Sequence, residues 1–393
     1  MKILIVGAGA VASVLSRQLA KEKNITHITC ASNDLRSAKE FIDTRNPKVS
    51  LARVDASKIK DVARAAKGYD LIINASIPRY NTNIMEAALK VNANYQDLCS
   101  ELRNWKNPEQ LPFHRRFKQA GLVGLINTGV APGVTNLLAA EVAHKLDSVD
   151  EIKIRLIEDM QSSEFIFSWS TQVALDTIRA NPLCYRNRRF IFLEPFGDAE
   201  DYEFPHPFGK KRLMNLYGDE IATLPLYLPV NNVCMKSGGA DIDIARSIKG
   251  MGLLDDKPVD VKGKKVVPLD FFKSLAPHTP SPKEMSRMIK EKVVENAVFV
   301  STVEGIGKQR GKSICMKSTV IYPDLKAITE KMEGATYISY PTGVSAAVFA
   351  RIIPKIMECG VFPPEALSHE IRKEVLICLE KEGIVLEEKY SKA

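Results

Sequence analysis

Six residues near the start of the chain, Gly7-Ala8-Gly9-Ala10-Val11-Ala12, have the types and spacing that grip a diphosphate. Gly7 permits a tight turn out of a strand. Gly9 has no side chain, so a pyrophosphate can come against the backbone, and Ala12 lets the next helix pack closely on a sheet. The helix start at Ala10 and Val11 then offers unpaired N–H groups and positive partial charge. Such a glycine motif is unspecific alone, but its setting here is the required one. The apolar strand Lys2–Gly7 (KILIVG) precedes it, and Ala10–Lys21 follows with Val11, Val14, Leu15 and Leu19 at helical spacing. A nicotinamide dinucleotide is the expected ligand. A Rossmann-like fold without nucleotide, or one holding S-adenosylmethionine, would share the turn.

Other groups fall at the carboxyl ends of later strands, where such folds bind ligands. The second strand ends Ala31-Ser32-Asn33, with Arg36 one helical turn on. A neutral hydroxyl beside a cation favours a ribose 2′-phosphate and hence NADP. Asp34 keeps NAD open, although its simpler role is a helix cap. Asp55 and Ala56 end the third strand near the expected adenine edge, and Asn74, Ala75 and Ser76 end the fourth, where the ribose is met. Asp97, at the end of the fifth, is the candidate acid/base or amine-binding group if it faces the crevice. Arg246, in DIARSIKG, has the bidentate geometry to hold a substrate carboxylate, or simply lies on a solvated helix face. None of the histidines has a partner at catalytic or metal-ligand spacing, so no metal is expected.

The elements that must position these groups alternate. Strands read at Thr26–Ser32, Val49–Asp55, Asp70–Ser76, Asn94–Ser100 and Leu122–Gly129, with helical stretches between them, which implies right-handed crossovers and a parallel sheet. After Gly133 the pattern changes. A helix over Val134–Lys145 leads into Glu151–Ile157 (EIKIRLI), read as an alternating strand with one wet face, and then into irregular, proline-rich spacing. The expected fold is α/β: a Rossmann dinucleotide-binding domain over residues 1–133, an α+β substrate and dimerisation domain with a mixed sheet over 134–340, and a C-terminal segment, 341–393, returning to the Rossmann domain. Asp255–Pro282 reads as a long loop, and Val344–Glu358 as an amphipathic helix despite Pro354.

Composition narrows the class. The 393 residues suit two domains, and no stretch approaches the ~18–20 apolar residues of a membrane span. The seven cysteines are scattered and make no CxxC, which suits a reducing cytoplasm and argues against a zinc site or disulfide scaffold. The net charge of +8 is gathered in the short knots RNRR, GKKR and KGKK. These attract an anionic cofactor or substrate or are solvated loops; no nucleic-acid motif accompanies them.

Three segments together make the chain resemble the saccharopine dehydrogenase-like family, notably glutamate-forming saccharopine reductases and lysine 6-dehydrogenase. Asn127-Thr128-Gly129-Val130-Ala131-Pro132-Gly133 is similar to the family's G-(L/V)-(D/A)-P-G loop. Ile166-Phe167-Ser168-Trp169-Ser170 looks like the FSWS segment that opens its substrate domain. Gly343–Leu367, ending GVFPPEAL, resembles its late helix and GV-x-x-PE turn. The chain departs from the reductases in carrying Ala131 where they have Asp, and Cys234–Leu254 reads as shorter than their basic strand.

The resemblance implies hydride transfer at a carbon–nitrogen bond, with NADP or NAD as cofactor. It places Gly129 and Val130 on the cofactor and Pro132, Ser168 and Trp169 at the substrate, Trp169 walling it against the nicotinamide. It also implies a homodimer paired through the substrate domain. The leading expectation is a glutamate-forming saccharopine dehydrogenase of lysine metabolism acting on an amino-acid substrate. Lysine 6-dehydrogenase and carboxyspermidine-type dehydrogenases are alternatives, and a non-catalytic dinucleotide-binding redox sensor is the rival of another class. A polar cleft between the domains favours an enzyme; one filled by apolar side chains favours the sensor.

Overall fold

The computed structural model describes residues 1–101 and 107–392. Its amino-terminal third is the expected doubly wound unit. Strands β1 (Lys2–Val6), β2 (His27–Ser32), β3 (Val49–Arg53), β4 (Leu71–Asn74), β5 (Asn94–Asp97) and β6 (Val123–Leu125) alternate with helices α1 (Ala10–Leu19), α2 (Leu35–Phe41), α3 (Ile59–Ala65), α4 (Asn81–Val91) and α5 (His114–Gln119). All pairings are parallel, in the order β6-β5-β4-β1-β2-β3. Strands such as LIIN in β4 are buried on both faces because helices cover both sides of the sheet.

A seventh strand, Gly360–Phe362, extends this sheet in parallel beside β6. It arrives from the helix Ser339–Ile352, which lies against α1. That helix is shorter than the amphipathic Val344–Glu358 expected from the sequence and is buried nearly all round, because α1 and the helix His369–Lys381 enclose it. Pro354 falls in a following 3-10 turn, Ile353–Lys355. The return is also not complete. Val385–Lys392 leaves the first sheet and pairs antiparallel with Lys312–Ile321 of the second.

The helix α6 (Val134–Lys145) crosses into a mixed sheet of nine strands centred on β7 (Ser148–Ser162). β7 pairs parallel with Asn232–Gly238 and antiparallel with Val294–Gln309. The wet face expected for β7 is largely covered: Ile154–Ile157 are all buried, and Arg155, 3% exposed, is ion-paired with Glu200. The segment read as shortened, Cys234–Leu254, supplies most of that parallel strand and the helix Ala240–Gly250. Asp255–Pro282 is not a bare loop. It folds a hairpin, Val259–Val261 with Lys264–Val266, and the helix Pro268–Leu275. Among the described residues no helix is long and apolar enough to cross a membrane.

Candidate functional site

The glycine turn has the geometry its residues imply. Gly7 sits at φ +119, and a Cβ there would lie 2.4 Å from the Ala75 carbonyl oxygen, so the turn is packed against the end of β4. At Gly9, the N-cap of α1, a Cβ would meet nothing of the protein within 4 Å. The helix start is thus open where a diphosphate would be cradled by N–H groups, while the turn beneath it is fixed.

Around the carboxyl end of β2 two arginines converge. Parallel pairing sets Ser32 opposite Arg53, and Asn33, Asp34, Leu35, Arg36 and Arg53 line one surface depression. Asp34 is the α2 cap: its Oδ1 accepts from the Arg36 and Ser37 amides at 2.9 and 3.2 Å. That leaves Arg36 and Arg53 as the charged groups facing the depression, neither ion-paired among the described residues. Sequence spacing does not reveal Arg53; the strand register is the signal that finds it. Removing both arginines (R36A/R53A) is expected to weaken NADPH binding by about a hundredfold and NADH binding only slightly, because each charge-assisted hydrogen bond to a phosphate contributes ~1.5–3 kcal/mol. Paired titrations of the two nucleotides measure this.

Asp55 accepts from the Ser57 amide and hydroxyl at 3.0 and 2.6 Å and pairs with Lys58, closing the turn into α3, with half-buried Ala56 beside it. Asn74 points inward. Its Oδ1 accepts from the Ser76 amide and hydroxyl, and its Nδ2 donates to Asn81 at 2.7 Å. It shapes the Ala75–Ser76 backbone rather than reaching a ribose itself.

Asp97 does not face an open crevice. It is 1% exposed; its Oδ1 accepts from the Asn127 amide at 2.8 Å, and its Oδ2 from the Tyr95 hydroxyl and the Gln110 amide at 2.9 and 3.1 Å. Its carbonyl accepts from the Thr128 amide and hydroxyl. Asp97 is therefore the anchor of the Asn127–Gly133 loop. That loop closes on itself where Gly129 bridges to Gly133, whose φ of +133 and 2.2 Å gap from a would-be Cβ to the Gly129 oxygen admit only glycine. Val130 and Pro132 are buried within it.

Asp97 belongs to a larger set of buried acids. Asp219, from the connector before the helix Glu220–Tyr227, reaches across from the second domain and accepts from the Ser100 amide at 2.9 Å. Its other oxygen, Oδ1, is buried as well, and the Tyr217 hydroxyl hydrogen-bonds to the carboxyl. Glu109 accepts from Asn81 and from the Glu101 amide. Glu220 accepts from Thr135, and Glu365, the acid of the PPEAL turn, from Asn136. None of these five carboxyls pairs with a lysine or arginine among the described residues. Burial lifts Asp219 to about 6, Asp97, Glu220 and Glu365 to about 7, and Glu109 to about 8. Sequence spacing gives no sign of Asp219, Glu109, Glu220 or Glu365, because residues far apart in the chain bring them together.

These carboxyls make stability pH-dependent. In the unfolded chain they titrate near ~4, so between about pH 4 and 8 the folded state binds more protons. Stability is then greatest at the acidic end of that window and falls as pH rises through it. Thermal melts are expected to give a higher Tm at about pH 5.5 than at about pH 8, and the difference shrinks when Glu109 is replaced by Gln.

The three remaining substrate candidates separate. Ser168 is buried and Trp169 half-buried, and both line a cavity of about 100 Å³ beside β7 and the helices Thr171–Arg179 and Ala240–Gly250. Trp169 also packs on an apolar cluster with Phe167, Leu175 and Ile248, so it serves as wall and core together. Arg246 lies on the solvated face of Ala240–Gly250, its nearest acid Asp243 at 3.9 Å, and does not line the cavity. A helix that buries Ile242, Ala245 and Ile248 must turn residue 246 outward.

Comparison with known proteins bears on this arrangement. Residues 3–125 match the saccharopine dehydrogenase NADP binding domain, and residues 129–384 the saccharopine dehydrogenase C-terminal domain. Carboxyaminopropylagmatine dehydrogenase of Synechocystis sp. is 24% identical over 381 residues, covering 93% of each chain. Carboxynorspermidine synthase of Vibrio alginolyticus is 25% identical over 397 residues, covering 94% of this chain and 92% of its own. Among solved structures, the L-Glu-forming saccharopine dehydrogenase of Saccharomyces cerevisiae superposes with a TM-score of 0.72 at 15% identity over 99% of both chains, a likeness of fold.

Proposed function

The chain belongs to the saccharopine dehydrogenase family of oxidoreductases, with an NAD(P)-binding first domain, and from that we propose that it is an NADPH-dependent dehydrogenase joining an amino-acid semialdehyde to an amine through a new secondary C–N bond. The full-length similarity to enzymes of carboxyaminopropylagmatine and carboxynorspermidine supports a carboxylated alkylamine product. This is the alternative among the sequence-based expectations. The lysine-derived reaction remains a second reading, supported by the fold of the yeast enzyme.

The observation that carries the proposal is Asp219. It sets a buried carboxyl, held by the Ser100 amide and the Tyr217 hydroxyl, at the carboxyl ends of β4–β6, beside the loop after β6 and on the same side of the sheet as the open turn at Gly9. Its nearest partners are polar, the Ser100 amide and the Tyr217 hydroxyl, which supports an enzyme over a sensor.

Chemically, the aldehyde carbonyl and the amine condense to an imine with loss of water. A hydride and a proton then reduce that imine to the secondary amine. The nicotinamide, when bound, supplies the hydride. The protein's part is to orient the imine carbon, through the loop that Asp97 anchors, and to manage protons during condensation. In this reading Asp219 takes a proton from the ammonium, which frees the nitrogen lone pair to attack the carbonyl carbon, and the Tyr217 hydroxyl hydrogen-bonds to the same carboxyl.

The test is NADPH oxidation with a four-carbon amino-acid semialdehyde plus agmatine or a short diamine, run beside lysine-derived semialdehyde plus glutamate. Turnover with the first pair is expected to exceed the second by at least tenfold in kcat/KM. Turnover confined to the second pair returns the chain to the lysine reading, and none with either rejects both.

A further inference from the structure

The cavity beside β7 has a chemical signature of its own. Phe165, Phe167 and Trp169 wall it, and among the described residues Glu158, Glu164 and Asp241 are the charged groups that line it, with no lysine, arginine or histidine. We infer that this cavity seats the alkyl chain of the amine partner and fixes its distal cation, an ammonium or guanidinium, between Glu158 and Asp241. The inference rests on the reductive amination proposed above and deepens it by naming what selects the amine.

The two carboxylates are built in from one side and open on the other. Glu158 Oε1 accepts from the Ser237 hydroxyl at 3.0 Å, and Asp241 Oδ2 from the Tyr337 hydroxyl. Among the described residues nothing donates to Glu158 Oε2 or Asp241 Oδ1. Lys211 pairs with Asp159 at 2.8 Å, and Arg246 faces solvent. Burial raises the proton affinity of both carboxyls, Asp241 to about 7. Two desolvated acids repel a third carboxylate, so the site rejects an amino-acid partner such as glutamate. A cation relieves their burial, and the methylene chain behind it covers the aromatic walls.

The cavity adjoins the connector that leads to the proposed reaction centre. Leu216 lines it, and the same connector carries Tyr217 and Asp219. On its other side the Ser168 carbonyl accepts from Thr336 at 2.7 Å, and Tyr337 holds Asp241; both precede the helix that packs on α1. The inferred pose requires the reacting nitrogen to leave the cavity on its Leu216 side, toward the connector that carries Asp219.

Steady-state NADPH oxidation tests this in Glu158→Gln, Asp241→Asn and Ile244→Trp, the last filling the cavity from its exposed rim with both acids intact. In each variant the KM for agmatine is expected to rise at least tenfold, with the semialdehyde KM and the NADPH affinity unchanged. Butylamine, which lacks the distal cation, is expected to be at least tenfold poorer than putrescine for the native chain and equal to it for Glu158→Gln. An unchanged agmatine KM in all folded variants, or no preference for putrescine over butylamine, overturns the inference while leaving the dehydrogenase reading standing. If no amine supports turnover, that reading fails first, and calorimetry of agmatine binding to the NADPH-loaded chain decides the cavity: binding lost in Glu158→Gln upholds it, and no binding to the native chain rejects it.

Discussion

Gly9→Val is expected to abolish binding of both NADPH and NADH, by at least a hundredfold each, while the protein stays folded with a nearly unchanged Tm. A Cβ at residue 9 meets no protein atom within 4 Å, so the added side chain costs the apo fold little beyond its effect on a helix N-cap. It projects instead into the space at the α1 start, where a pyrophosphate must approach main-chain N–H groups that no side chain could replace. Gly7→Val is the informative contrast. There the Cβ lies 2.4 Å from the Ala75 oxygen at a left-handed backbone angle, so that variant is expected to lose several degrees of Tm as well as nucleotide binding. Titration of both nucleotides beside a thermal melt separates the two behaviours.

Asp219→Asn is expected to lower kcat by about 10²–10³, the range for loss of one positioned acid/base group, with nucleotide affinity unchanged. Asparagine keeps an oxygen to accept from the Ser100 amide, so the hydrogen bond between the domains survives. What it loses is a carboxyl held at about 6 by burial. In the native chain, activity is expected to fall as pH drops through about 6, because protonation removes the base. In Asp219→Asn that acidic limb should be absent from the residual rate. A variant that merely loosened the fold would instead scale the whole profile down. Asp97→Asn serves as the control. With both oxygens already taken by Asn127, Tyr95 and Gln110, Asp97 anchors a loop, and its loss should raise the KM for substrate and lower the Tm together.

What can be read from the chain alone follows from how local the cause is. The strand, turn and helix at Lys2–Leu19 are determined by neighbours within two turns, and α6 is legible to the residue because an apolar, proline-free run follows Gly133. Asp34 as a cap is likewise local chemistry. Arg53 needs one further step, the register of β3 against β2. Asp219, Glu109, Glu365, Glu158 and Asp241 are beyond reach. Each is one acid among many in the chain, and only the crossing of distant segments buries it. Ser100 and Asp219 meet across the two domains, and Tyr337 and Asp241 meet through the return of the chain. Arg246 shows the converse error. An arginine in a helical stretch invites a carboxylate partner, but the helix buries Ile242, Ala245 and Ile248, and that periodicity leaves residue 246 in water. The late helix departs from its sequence pattern for a related reason: its residues are apolar nearly all round because it is enclosed between α1 and the helix that follows it.

The most direct measurement is isotopic. The native chain is incubated with NADPH carrying deuterium at the transferable position of the nicotinamide, a four-carbon amino-acid semialdehyde and agmatine, and the products are weighed by mass spectrometry. A secondary amine that carries one deuterium on the carbon bonded to the new nitrogen is the predicted result. Consumption of NADPH without a deuterated amine, or an amine formed without deuterium, would contradict hydride transfer at a carbon–nitrogen bond.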